Sequence, residues 1–168
     1  MEDIANALRA GADKVAINSA AVRHPQLVTQ AASRFGSQCV VASNDALKKG
    51  DFWEVHVNGG RQPTGLDAID WAKRCADLGA GEILLTSIDR DGGRSGYDIE
   101  LLSRVSQVVS VPIVASGGAG SARDVVDAFL LGGADAALLA GVLHDGTTDI
   151  RSVKAALQAA SIAVRAAA

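Results

Sequence analysis

Three short stretches of this 168-residue chain carry groups whose types and spacing suit chemistry. Asp45 follows the apolar run Cys39 to Ala42 through Ser43 and Asn44. A carboxyl group at the carboxyl end of a buried strand has its pKa raised by desolvation and can exchange a proton near neutral pH, as a general acid or base must. The same residues also suit a loop carboxylate that caps a turn. Asp89 and Asp91 raise the same two readings one strand later, within GEILLTSIDRDGGRSGYD from Gly81 to Asp98, and one of the pair is expected to be only a cap. The third stretch is Ser116-Gly117-Gly118-Ala119-Gly120, between a strand pattern and a helix start. Glycines there let N–H groups converge on an anion at a helix amino terminus. The next strand-to-helix turn, Ala140-Gly141-Val142, can add further amides, so that two adjacent loops hold one phosphate. A tight turn without a ligand is the plainer alternative.

These groups need a scaffold, and the hydrophobic pattern supplies one. Apolar strand candidates fall at Lys14 to Asn18, Cys39 to Ser43, Glu82 to Ser87, Pro112 to Ser116 and Ala136 to Ala140, with helical patterns between them. One helix opens at Pro25 and stops at Gly36. Another has Thr64 and Asp67 spaced as a capping box, turns Leu66, Ile69, Ala72 and Ala76 inward, and stops at Gly79; Ser121 and Asp124 repeat that arrangement. Trp53 to Val57, followed by Asn58-Gly59-Gly60, reads as a small hairpin inserted on the functional face. Alternating strands and helices predict an α/β fold, either an open doubly wound sheet or a barrel. Five strands, preceded by a helical segment from Glu2 to Ala10, do not close an eight-stranded barrel. The expectation is one partial-barrel domain over residues 1–168 whose two apolar edges are covered by another chain or by copies of this one, as a homo-oligomer. The alanine-rich tail from Ala159 is expected to fray.

Composition excludes several classes. Aromatics make up 4% of the chain, the net charge is −3, and the sixteen lysines and arginines are scattered, so no nucleic-acid partner is expected. No run is long and apolar enough to span a bilayer, and the amino end has no signal-like segment, so neither a membrane nor export is expected and cytoplasmic residence is the default. Cys39 and Cys75 are far apart and His24, His56 and His144 do not cluster, which points to reduced thiols and no metal or cofactor.

The blocks GADKVAIN with Ser19-Ala20-Ala21-Val22, FGSQCVV with Asp45, GAGEILLTSIDRDG with SGYD, VPIVASGGAG and GADAALLAG occur in this order from Ile4 to about Arg165. On these blocks the chain resembles the cyclase subunit of imidazole glycerol phosphate synthase, less its first three βα units. The resemblance implies a (β/α)8 TIM-type barrel acting in histidine biosynthesis. In that family, ammonia from a glutaminase subunit reacts with a bis-phosphorylated ribulosyl aminoimidazole carboxamide nucleotide to give imidazole glycerol phosphate and an aminoimidazole carboxamide ribotide. Two aspartates form the family's acid/base pair; Asp45 matches the second, and the first falls before the matched region. Ser116, Gly117, Gly118, Ala140 and Gly141, with Asp91 and Gly92, match one phosphate site, and Asn18 and Ser19 match part of the other. Thr86 matches a side chain facing the substrate. Lys14 and Glu82 match two of four members of an ionic cluster gating ammonia, and Asp13 matches a position facing the glutaminase. Asn44 and Gly141 depart from the family's aliphatic residue and serine. Two alternatives are the homologous phosphoribosyl isomerase, against which FGSQ and GAGEILLTS speak, and a catalytically incomplete phosphate-binding half-barrel that self-associates.

Overall fold

The computed structural model describes residues 1–165. In chain order the elements are α1 (Glu2–Arg9), β1 (Val15–Ile17), α2 (Ser19–Arg23), α3 (Gln26–Phe35), a 3-10 turn (Ser37–Cys39), β2 (Val40–Lys49), β3 (Phe52–Val57), β4 (Gln62–Asp67), α4 (Ala68–Asp77), β5 (Glu82–Ser87), α5 (Ile99–Ser106), β6 (Ile113–Ser116), α6 (Ala122–Leu130), β7 (Ala136–Ala137), α7 (Gly141–His144) and α8 (Ile150–Ala159). Strands β1, β2, β5, β6 and β7 are parallel and neighbour one another in sequence order. Consecutive addition with right-handed crossovers puts every connecting helix on one face, as in a barrel wall, whereas a doubly wound sheet reverses its order.

Side-chain burial follows from that one-sided cover. Ile83, Leu85 and Ser87 of β5 are buried, while Glu82, Leu84 and Thr86, which point the other way, are partly exposed. On β6, Ile113 and Ala115 are buried and Val114 and Ser116 are not. The apolar cluster lies between sheet and helices, drawing in Val28 of α3, Trp71 of α4, Leu101 of α5, Val125 of α6 and Leu157 of α8. Each such side chain contributes about 1.5–3 kcal/mol on burial. The opposite face carries no helix, and among the described residues β1 and β7 each pair with one strand only. Five parallel strands that do not close are what the sequence predicts.

The hairpin departs from expectation. β2 does not stop at Ser43 but continues to Lys49, turns at Gly50, and pairs antiparallel with β3, which pairs with β4. Thr64 and Leu66 therefore belong to β4 rather than to a helix start. The Thr64 hydroxyl donates to the Val55 carbonyl (2.7 Å), and Asp67 alone caps α4, accepting from the Ile69 and Asp70 N–H groups at 2.8 and 3.0 Å. A second strand partner for Gln62 to Asp67 outweighs the local capping preference. The other starts and stops hold: α3 begins after Pro25 and ends at Gly36 (φ +91°), and Ser121 and Asp124 form a capping box on α6. β7 is shorter than expected, with Ala140 serving as the residue that opens α7. Past Ala159 the chain stays docked through partly buried Ile162 and Val164; the tail's last three positions lie outside the described residues.

One carboxylate fastens the hairpin to the barrel wall. Asp98 caps α5 by accepting from the Leu101 N–H (3.1 Å) and also accepts from the indole N–H of fully buried Trp53 at 2.9 Å. The Lys48 ammonium and Arg104 guanidinium lie over the Trp53 ring at 4.7 and 5.2 Å. Replacing Asp98 by alanine removes a helix cap and strands a buried N–H, so Asp98→Ala is expected to lower unfolding stability by about 2–4 kcal/mol. Urea titration followed by tryptophan fluorescence measures this; an unchanged midpoint would mean that the hairpin is held by packing alone.

Candidate functional site

The registers place Asp45, Thr86 and Ser116 in one row. Asp45 pairs with Thr86 across β2 and β5, and Thr86 pairs with Ser116 across β5 and β6. Paired residues on adjacent strands project to the same side, here the face without helices, at its carboxyl end. Asn18, just past β1, completes the row by donating from Nδ2 to Asp45 Oδ2 at 2.7 Å. Asp45 is thus a residue inside a ten-residue strand and not a turn cap. Its other neighbour is His56, its direct partner on β3.

Burial sets the Asp45 electrostatics. Desolvation lifts its carboxyl above the ordinary 3.8, the Asn18 hydrogen bond pulls it back, the Asp91 carboxylate lifts it further, and His56 lowers it. His56 is buried, its Nδ1–H donates to the Gly60 carbonyl at 2.9 Å, and Nε2 has no hydrogen-bond partner among the described residues. Asn44, one position before Asp45, points away from the row. Its amide donates to the Ala68 carbonyl at 2.9 Å and fixes the start of α4. Of the aspartates after β5, Asp89 accepts the Lys48 N–H at 2.7 Å and so holds the hairpin, whereas exposed Asp91 is near enough for its charge to act on Asp45.

Beside the row lies a cavity of about 150 Å³ lined by Asp91, Gly92, Gly117, Gly118, Ala140 and Gly141, together with Arg94. The glycine turn is shaped by the loop after β5 as much as by any ligand. A Cβ on Gly117 (φ +86°) would sit 2.6 Å from the Ser87 carbonyl oxygen, and one on Gly118 (φ +104°) 2.3 Å from that of Gly96. That close packing leaves the N–H groups of Gly117, Gly118 and Ala119 without protein acceptors among the described residues. By contrast, Gly120 and Ser121 donate to Asp124, so the α6 terminus is already closed by its own carboxylate.

The remaining expected residues divide between two ends of the sheet. Ser19 sits beside Asn18, and its hydroxyl accepts the Asn58 N–H at 2.9 Å, tying the hairpin tip to the end of β1. Lys14 and Glu82 pair at 2.5 Å at the amino ends of β1 and β5, with exposed Asp13 next to Lys14. Four residues of strand put that end about 13 Å from Asn18. A larger cavity of about 530 Å³ lies outside the row, among Lys48, Asp89, Glu100 and Asp124. Of its charged groups, Lys48 pairs with Glu100 and Asp124 closes the capping box of α6. The residues that sequence reasoning passed over are His56 and Arg94; a histidine two positions before an Asn-Gly turn was the only local signal for the first.

A carboxyl whose pKa rises on folding stabilises the fold only while protonated. Its contribution is complete below pH 3.8 and is lost as the pH rises through the raised value. Asp45→Asn keeps an oxygen for Asn18 and carries no charge. The variant is expected to melt above the unsubstituted chain at pH 7, with the gap closing as the pH falls toward 3.8. A lower melting temperature at pH 7 in thermal unfolding would contradict this.

The family model described as histidine biosynthesis protein matches residues 1–149. Subunit HisF of imidazole glycerol phosphate synthase from Myxococcus xanthus is 59% identical over 98% of this chain and 65% of its own length. The subunit so named from Prochlorococcus marinus is 55% identical over 94% of the chain and 63% of its length, and one from Bacillus cereus 54% over 98% and 66%. The chain spans less than two thirds of the length of these relatives. The resemblance read from the sequence blocks is borne out, and the one-sided, open wall of five parallel strands is a partial barrel of the TIM type. The chain belongs to the histidine biosynthesis protein family.

Proposed function

We propose that this chain is the carboxyl-terminal five-eighths of a cyclase barrel and carries one half of its acid/base pair and one of its phosphate sites. The carrying observation is the row of Asn18, Asp45, Thr86 and Ser116 at the carboxyl ends of parallel strands, where barrel enzymes place their chemistry. A carboxyl lifted by burial and oriented by an amide is suited to give and take a proton in the ring closure that follows attack by ammonia. The free amides of Gly117, Gly118 and Ala119, with the Gly141 turn, suit one phosphate of a bis-phosphorylated ribulosyl nucleotide. Asp91 and Gly92 line the same cavity, and Asn18 and Ser19 contribute to the second phosphate site. Thr86 faces the substrate between the two. Lys14 and Glu82 are half of an ammonia gate on the opposite end, and Asp13 faces a glutaminase subunit there. Such an enzyme works in the cytoplasm and needs no cofactor.

A second reading, a self-associating half-barrel that binds phosphate without turnover, is favoured by the uncovered sheet face, where Leu138 is 43% exposed. The two readings part on one experiment. Mixing the chain with a polypeptide that supplies three further βα units is expected to give ammonia-dependent conversion of the ribulosyl nucleotide. Asp45→Asn is expected to reduce that rate by about 10²–10⁴-fold. A well-folded complex that binds substrate and does not turn it over would sink the cyclase reading. A single chain that stays monomeric would sink the self-associating one.

A further inference from the structure

The cavity between the Gly117 turn and the Gly141 turn has an electrostatic problem that its backbone does not solve. A phosphate monoester carries close to two negative charges at neutral pH, and amides answer with dipoles only. Asp91 lines the cavity and brings a negative charge to it, and Arg94 is the one cation among the lining residues. Three features hold Arg94 there. Its backbone is left-handed (φ +52°), a conformation that costs a side-chain-bearing residue about 1–2 kcal/mol unless its surroundings impose it. Its carbonyl oxygen lies 2.3 Å from where a Cβ on Gly120 would be, so the turn after β6 is moulded around it. Its guanidinium lies across the start of α7, with Nη2 3.3 Å and Nε 3.9 Å from the place of a Cβ on Gly141. Gly141 is not among the glycines with a left-handed backbone, and a Cβ there would press on the guanidinium by a few tenths of an ångström.

Among the described residues Arg94 has one ionic partner, Asp145, which follows α7; Nη2 donates to its Oδ2. The pair joins positions 51 residues apart. Asp145 does not depend on it, because Oδ1 accepts from the Thr147 N–H at 3.1 Å and from its hydroxyl at 2.6 Å. A guanidinium has five N–H donors in a fork that matches the oxygens of a phosphate.

We propose that Arg94 is the charge-bearing ligand of this phosphate cavity, exchanging Asp145 for the phosphate when the cavity fills, and that Gly141 leaves the space in which its guanidinium lies. The inference rests on the reading of the cavity as a phosphate site and adds a side chain to it.

Isothermal titration of the full chain with inorganic phosphate and with ribose 5-phosphate tests this at fixed ionic strength. Arg94→Met is expected to weaken both by about tenfold or more, and Arg94→Lys to recover part of the loss. Asp145→Asn is expected to tighten binding by about two- to fivefold, a gain that misfolding does not produce, and to have no such effect once Arg94 is methionine. If Gly118→Ala abolishes binding while Arg94→Met leaves it unchanged, the cavity reading stands and the role of Arg94 is overturned. An Asp145→Asn gain that persists in the double variant overturns the exchange. If the unsubstituted chain binds neither probe, the cavity reading and the role of Arg94 fall together.

Discussion

Strand β2 has two edges, and its pairings along them fix where everything else goes. One edge holds β5 over the whole parallel stretch. The other holds β1 up to Ala42 and β3 from Asp45 onward, so the partner changes over Ser43 and Asn44. A strand that switches from a parallel to an antiparallel neighbour along one edge leaves a short gap between the two partners. Asn18, at the end of β1, and His56, on β3, flank that gap, and Asp45 is the first residue beyond it. The carboxylate is therefore supplied with an amide donor from one partner strand and an imidazole from the other. Asn44, pointing to the opposite side, anchors α4 at the same level. An aliphatic residue there would pack as well against the helix but would not bond its first carbonyl.

The two halves of the candidate site are coupled by backbone contact rather than by side-chain networks. The loop from Ser87 to Gly96 rests on Gly117 and Gly118 so closely that neither tolerates a Cβ, and Gly96 N–H donates to the Gly118 carbonyl at 2.8 Å. Asp91 rides on that loop and acts on Asp45 across the row while also lining the cavity. Charge at the cavity and charge at Asp91 therefore act on Asp45 in the same way, through the field between them. An anion in the cavity would lift Asp45 further, and a cation such as Arg94 moving inward would offset it.

The parallel wall was legible in the sequence because each of its strands is a short apolar run bounded by capping or glycine signals, and the periodicity of burial follows directly. Asp45 and the glycine turns were legible for the same reason, as polar groups at the ends of such runs. The hairpin's second strand was not: QPTGLD has no strand-like alternation, and only pairing with β3 makes it one. The tie between Trp53 and Asp98 joins residues 45 apart, and that between Arg94 and Asp145 residues 51 apart. Local patterns carry no information about such pairs. His56 was visible as a residue but had no role until the register set it opposite Asp45.

The face of the sheet that carries the row differs from the helix-covered face in what its burial can yet change. Glu82, Leu84, Thr86, Val114 and Ser116 are partly exposed there, so water still screens the charges at both ends of the strands. Covering this face with further strands would remove that water and raise the desolvation acting on Asp45, which is already the largest influence on its carboxyl. The same cover would strengthen every pairwise field in the row, including the opposing pull of Asn18 and His56. Any cover laid over this face would therefore raise the Asp45 carboxyl further, and a covering group that brought a second carboxylate to the row would raise it most.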